Sequence, residues 1–415
     1  MDELWSPAEA WSAAVRRTWQ DQRLREIVAA AWPHAPALRE ALEGAGASAA
    51  EISLDLLPRL PVLRKDALPA LQRQRPPFGG WLGTPLAALG RIYRSPGPIL
   101  DPEGREEDYW RFAPALFAAG FRAGEVVLNT LAYQLTPAGL MFDGALRVLG
   151  CPVVPAGPGN TETQVSLLAQ VGITGYIGTP SFLATLLDAA ATAGRPVTLR
   201  RAFVIAEMLP EALRQQVQAT HGVEVSQGYG TADVGSVAYE CSRRQGMHIW
   251  HELIVELLDP QTGQPVPAGA PGEVVVTALN PVYPLLRLAT GDLAVMAEGA
   301  CPCGRTAPRI GRILGRVGDA VKVRGMFVHP AEIDLIMARH PEVARYQVAV
   351  SRTGHQDEMR LRIELRPGAV ATDGLTQRLR QAIHEGVRLR CEIDLVPPGA
   401  LPADARKIVD ERRWE

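Results

Sequence analysis

Three short runs decide how this chain is read: RLATGD at Arg287–Asp292, CPCGRT at Cys301–Thr306 and GRVGDAVKVRG at Gly315–Gly325. The first sets a carboxylate on a Thr-Gly turn. The second separates two thiols by one proline, and the third flanks a glycine turn with arginines. So much turn-forming and chemically active sequence in so short a span is not the composition of a packed core.

Working outward, 415 residues exceed the ~250–300 at which one core divides, so two domains are expected. Apolar content of 47% with 21% charged residues supports a sizeable core. A formal net charge of −2 gives no general attraction to nucleic acid or an anionic membrane, and no apolar run approaches the ~18 residues of a span. The opening MDELWSPAEAW is acidic rather than signal-like, and five cysteines in this length suit reduced thiols and metal ligation better than a disulfide framework. A cytoplasmic location is therefore expected. Only Lys65, Lys322 and Lys407 are lysines among 43 basic residues, so each surviving lysine is a candidate for a specific role.

Residues 1–90 read as Pro-interrupted helix, opening with an apolar face of Trp5, Trp11, Val15 and Trp19. From Gly124, short β-branched runs (VVLNTLAY, CPVVPAG, ITGYIGTP, RRAFVIAE, VEVSQGYG) alternate with helical stretches. That alternation argues for a mostly parallel sheet wrapped by helices. Thr161 with Gln164, and Pro180-Ser181, mark helix starts. After Gly246 the texture becomes hairpins, predicting an antiparallel subdomain. The expected architecture is α/β: a large domain over residues 1–314 and a small α+β domain over 315–415.

Several motifs point to chemistry. In QGYGTAD, the ring of Tyr229 can stack on a purine from the Gly230-Thr231 turn, and the Asp233 carboxylate can reach a magnesium ion. Asp292 can accept from both hydroxyls of a ribose. Cys241 and His248 with Cys301 and Cys303 supply three thiols and an imidazole, a closed tetrahedral set for structural zinc. His251 is a competing ligand; Cys151 and Cys391 read as core.

These segments, in this order, resemble the phenylacetate–CoA ligase branch of the acyl-adenylating superfamily. The likeness covers roughly residues 110–410 and is strongest from Ser226 to Pro330. It implies a large N-terminal and a small mobile C-terminal domain. It also implies acid activation by ATP to an acyl-AMP, then transfer to coenzyme A, with magnesium as cofactor. By the same resemblance Ala206 and Glu207 in IAEMLP line the adenine, Arg316 contacts ribose or phosphate, and Gly318 stands at the hinge where the family has Asp. Lys407 in ADARKIVD would bridge carboxylate and phosphate during adenylation. The apolar segment around Tyr133, Gln134 and Gly139 is the expected acid pocket, suited to an aryl acid. A homodimer is compatible with this class and fixed by no residue pattern.

One departure is plain. The family's Ser/Thr/Gly-rich phosphate loop ends in Gly-Lys-Pro, whereas this chain has YRSPGPILDPEGREEDYWR, keeping Ser95 and Gly97 but neither the Thr pair nor the Lys. Two alternatives follow: an acyl-AMP handler or acyl transferase without ATP activation, and a non-catalytic nucleotide-binding relative.

Overall fold

The computed structural model describes residues 3–317, 321–324, 326–328, 330–354, 356–402 and 406–412. The chain divides into two compact units, Met1–Gly315 and Arg316–Glu415.

In the first unit a twelve-stranded sheet, counted among the described residues, runs without interruption from parallel to antiparallel pairing. Its parallel half orders Val153–Pro155, Val127–Asn129, Gly175–Gly178, Arg201–Val204 and Glu224–Thr231. Helices such as Thr161–Val171, Pro180–Thr192 and Glu211–His221 return the chain between them. Thr179 caps the second by accepting from Phe182 N at 3.2 Å, and Gly172 and Gly222 end the first and third in the left-handed region. The first helix does start at Thr161. Gln164, however, is buried and grips the preceding loop through the carbonyls of Gly157 and Gly159 rather than a cap.

The antiparallel half continues from Glu224–Thr231 through Gly235–Glu240, Met247–Ile249, Arg309–Arg316, Leu288–Ala297, Gly272–Ala278 and Leu253–Leu258. The antiparallel strands thus extend the same sheet, because the long Glu224–Thr231 strand pairs in parallel at its start and turns back on itself at its end. A two-residue strand, Leu63–Arg64, adds parallel to Leu288–Ala289.

The N-terminal segment is docked by a buried ionic network. Glu9 accepts from the hydroxyl of Tyr239 at 2.6 Å and from Arg305 Nε at 2.7 Å. Trp5 packs edge-on to Phe117, and Trp11 and Trp19 contact each other and His251. Val15 departs from the expected face: it is 51% exposed, and helix Ala13–Ala31 turns Leu24, Ile27, Val28 and Ala31 inward instead. The three tryptophans are held by residues outside this helix, so their spacing is not the helix's own apolar stripe.

The second unit carries a four-stranded sheet ordered Glu392–Val396, Gln356–Leu365, Val343–Thr353, Ile408–Asp410. Helix Asp373–Val387 covers it with Leu375, Leu379, Ile383 and Val387, spaced at the helical repeat.

Glu9 and Arg305 have side chains 2% and 1% exposed, so removing one strands the other's charge in the core. Glu9→Ala is expected to cost about 3–5 kcal/mol in urea denaturation, with partial recovery in Glu9→Ala/Arg305→Met.

Candidate functional site

Of the residues expected around a nucleotide, Tyr229, Gly230 and Thr231 lie where the sheet changes from parallel to antiparallel, and Asp292 is joined to them by a hydrogen bond. The turn after Thr231 is closed by Val234 N donating to Thr231 Oγ1 at 3.3 Å. It needs glycine on both sides. Gly235 has φ +84°, and a Cβ there would meet the Trp110 carbonyl at 2.6 Å; one on Gly230 would meet the Gly235 carbonyl at the same distance. Tyr229 sends its hydroxyl to the TGD strand, with which its own strand does not pair, donating to Asp292 Oδ2 at 2.7 Å with Thr290 Oγ1 at 3.1 Å. The YGT and TGD motifs therefore form one unit through this bond.

Asp233 is fully buried and expected at magnesium, but its partner in the structure is the ammonium of Lys65, 2.5 Å from Oδ2. Lys65 arrives because Leu63–Arg64 pairs beside Leu288–Ala289, at the start of the strand that carries Asp292. Its rarity as a lysine was the only sign in the sequence; nothing there placed it against Asp233. Magnesium does not fit this arrangement well, since a resident cation already engages the carboxylate.

A third charged group lies close by. Arg91–Ser95 and Ile99–Glu103 form a tight hairpin in which Ser95 faces Ile99. The phosphate-loop position is thus a three-residue Pro96-Gly97-Pro98 turn, in which only Gly97 has an amide hydrogen. Gln72 fixes the hairpin by binding both the amide and the carbonyl of Leu100, each at 2.8 Å. The next residue, Asp101, is fully buried; neither oxygen makes a hydrogen bond of ordinary geometry among the described residues. Burial first, then the charge of Asp233, push its carboxyl well above the usual carboxylate range, against the opposing influence of nearby Ser95 and Lys65. Two residues further along the same strand, Glu103 accepts from Arg91, Tyr93 and Trp110.

On the expected adenine side, Ala206 holds φ +76°, the left-handed region that costs a residue with a Cβ free energy and clusters at functional sites. Glu207 accepts from Ser181 N at 3.3 Å, in the first turn of helix Pro180–Thr192, where a carboxylate is favoured by the helix dipole.

In the expected acid pocket, Asn129 Nδ2 donates to both the Tyr133 hydroxyl (2.9 Å) and the Gly139 carbonyl (2.8 Å). Tyr133 in turn donates to Asp143 at 3.4 Å. A Cβ on Gly139 would lie 2.7 Å from the Tyr133 ring, so the glycine is what lets the ring lie there. Gln134 is exposed. Arg94 N donates to the Leu135 carbonyl at 2.8 Å, joining the shortened hairpin to this segment.

In the second unit, Lys407 makes a two-pronged ion pair with Asp334, at 2.6 and 2.7 Å, and lies over the ring of Tyr346, whose hydroxyl shares the same carboxylate. Its carbonyl is docked by Val348 N, which fixes where the side chain starts. Arg316 ends the Arg309–Arg316 strand, and Gly318 lies outside the described residues.

The four residues of the cysteine set come together. One ligand atom each from Cys241, His248, Cys301 and Cys303, all buried, lies within 4.8 Å of the others. Cys241 and Cys301 sulfurs are 3.6 Å apart, and His248 Nε2 is 3.4 Å from Cys303 Sγ, which also accepts from Arg305 N. His251 is not in the group. It packs among Trp11, Trp19 and Trp250, and burial, then Arg16, lowers its pKa to about 4. Cys151 is buried beside Arg122, and Cys391 packs on the second unit's core.

Comparison with known proteins gives the family. The AMP-binding enzyme family matches residues 108–280, and the AMP-binding enzyme C-terminal domain matches 325–412. The phenylacetate–coenzyme A ligase of Thermus thermophilus is 33% identical over 96% of this chain and 97% of its own. That of Escherichia coli is 26% identical over 97% and 95%. A solved 2-hydroxyisobutyryl-CoA ligase, bound to 2-HIB-AMP and CoA in the thioesterification state, superposes with a TM-score of 0.90 at 25% identity. That match covers 98% of this chain and 92% of the other. The chain belongs to the AMP-binding enzyme family, among the relatives of the phenylacetate–coenzyme A ligases.

Proposed function

We propose that this protein is an AMP-forming acid–coenzyme A ligase: it activates a carboxylate as an acyl-adenylate and passes the acyl group to the CoA thiol. The observation that carries this reading is the joined Tyr229–Asp292 unit at the sheet junction, within a chain similar over nearly its whole length to named ligases. Asp292 would accept from the ribose, while Ala206, Glu207 and the Tyr229-Gly230-Thr231 turn would enclose the base. The acid would lie against Tyr133, Gln134 and Gly139; an aryl acid suits the Tyr133 ring. Arg316 would meet the ribose or phosphate.

In the first half-reaction a carboxylate oxygen attacks the α-phosphorus and pyrophosphate leaves. In the second the thiolate attacks the acyl carbon and AMP leaves. Lys407 would act in the first, as a compact cation able to bridge carboxylate and phosphate oxygens. Among the described residues no helix is long and apolar enough to cross a membrane, and all five cysteines are free, in keeping with a reducing compartment.

The Pro96-Gly97-Pro98 turn favours one alternative enough to state it: a protein that handles acyl-adenylates without making them from ATP. The two readings separate by calorimetry and by ATP–pyrophosphate exchange. AMP is expected to bind, with ATP gaining less than about tenfold because the turn offers so few amides. Asp292→Ala should abolish binding of both. Exchange with an aryl acid supports the ligase; its absence with every acid tried supports the handler.

Lys407→Ala is expected to slow acyl-AMP formation by about a hundredfold or more while sparing thioester formation from supplied acyl-AMP. Equal losses in the two half-reactions would make the lysine structural.

We further propose that Cys241, His248, Cys301 and Cys303 hold one structural zinc. The donor set and its burial fit that ion; its contribution would be folding free energy, apart from the chemistry. Plasma emission analysis should find about one zinc per chain, and Cys303→Ser should lose it and melt earlier. A folded parent protein with no zinc would end this assignment.

A further inference from the structure

We propose that Lys65 is the resident cation of the Asp233 site, and that its ammonium keeps a divalent ion from binding there. The resemblance places magnesium at Asp233, yet the geometry gives that carboxylate to a lysine. The Nζ–Oδ2 separation is 2.5 Å, and the side chains are 10% and 0% exposed, so this is a desolvated contact rather than a surface pairing. Two independent elements hold it. Lys65 is set by the pairing of Leu63–Arg64 with the TGD strand, and Asp233 by the turn between two long antiparallel strands.

The surroundings explain why the ammonium stays. Asp101 brings a second carboxyl to the same cluster from the shortened hairpin, held in place by the grip of Gln72 on Leu100. Tyr283 is close as well; its hydroxyl accepts from Gln72 Nε2 at 3.2 Å, and it feels the charge of both aspartates. The Lys65 ammonium thus meets Asp233 directly and lies within the influence of Asp101 as well, so carboxyls of two separate elements hold it. An entering divalent ion would have to displace the lysine. Remove the lysine, and two buried carboxyls remain; Asp101 Oδ1 and Oδ2 and Asp233 Oδ1 make no hydrogen bond of ordinary geometry among the described residues. Hard oxygen donors of this kind suit magnesium or manganese.

The variant Lys65→Met tests this, because methionine keeps the length of the stem and loses the charge. Mn2+ binding is followed by electron paramagnetic resonance and calorimetry on the protein alone, so the outcome does not depend on whether the chain ligates acids. The parent is expected to show no Mn2+ site sensitive to Asp233→Asn. Lys65→Met should gain a site at least about tenfold tighter than any in the parent, lost again in Lys65→Met/Asp233→Asn. Circular dichroism and melting verify folding. Should Lys65→Met not fold, Lys65→Met/Asp101→Asn removes the surplus buried acid and supports the same measurement through Asp233. A parent protein that already binds Mn2+ through Asp233 overturns the proposal, as does a folded lysine-free variant that binds none.

Discussion

The site depends on one buried ion pair. Taking a carboxylate and an ammonium out of water costs several kcal/mol per ion, recovered only if the two meet in good geometry. Lys65 and Asp233 meet 168 residues apart in sequence, so their contact requires that three things be right at once. The Leu63–Arg64 strand must find its register on Leu288–Ala289, the Tyr229 strand must turn at Thr231, and the hairpin carrying Asp101 must close over both. A misregistered sheet would leave a charge buried without its partner. The pair is weak evidence for added stability and better evidence for specificity of assembly.

The same pairing explains how an N-terminal segment becomes part of the site. Glu9 reaches Arg305, whose amide also donates to Cys303; Gln20 holds the carbonyls of His251 and Leu253; Arg287 is bound by Glu256 and by the carbonyls of Pro58 and Leu60. The contacts of Glu9, Gln20, Pro58 and Leu60 each join a polar group of the first sixty residues to the antiparallel strands or the segments beside them. The thiol–imidazole cluster, the TGD strand and the N-terminal helices therefore form one cooperative body.

How much of this was legible beforehand follows from the range of each interaction. The strand–helix alternation, the helix starts at Thr161 and Pro180 and the four zinc-type ligands depend on local pattern or on rare residue types, and the chain shows them openly. The Tyr229–Asp292 bond joins two motifs that were each readable, though their contact was not. Lys65 stood out by its rarity, but its partner lay across a sheet register that no local pattern encodes. Asp101 gave no signal at all: in PILDPEG it looks like a turn residue, and its burial follows from the grip of Gln72 on the neighbouring backbone. Val15 failed because the tryptophans around it answer to His251 and Phe117 rather than to a helical stripe. The resemblance named Ala206, but not its left-handed backbone, which sequence does not display outside glycine.

The scarcity of lysine has a consequence for the protein's own survival. On the proposed reaction, the site generates a mixed anhydride of a carboxylic and a phosphoric acid, which acylates exposed amines it meets before the thiol arrives. A guanidinium is no target for that chemistry, and a lysine is. With lysine at only three positions, and two of these, Lys65 and Lys407, held against carboxylates, the protein presents its reactive product with few side chains to damage.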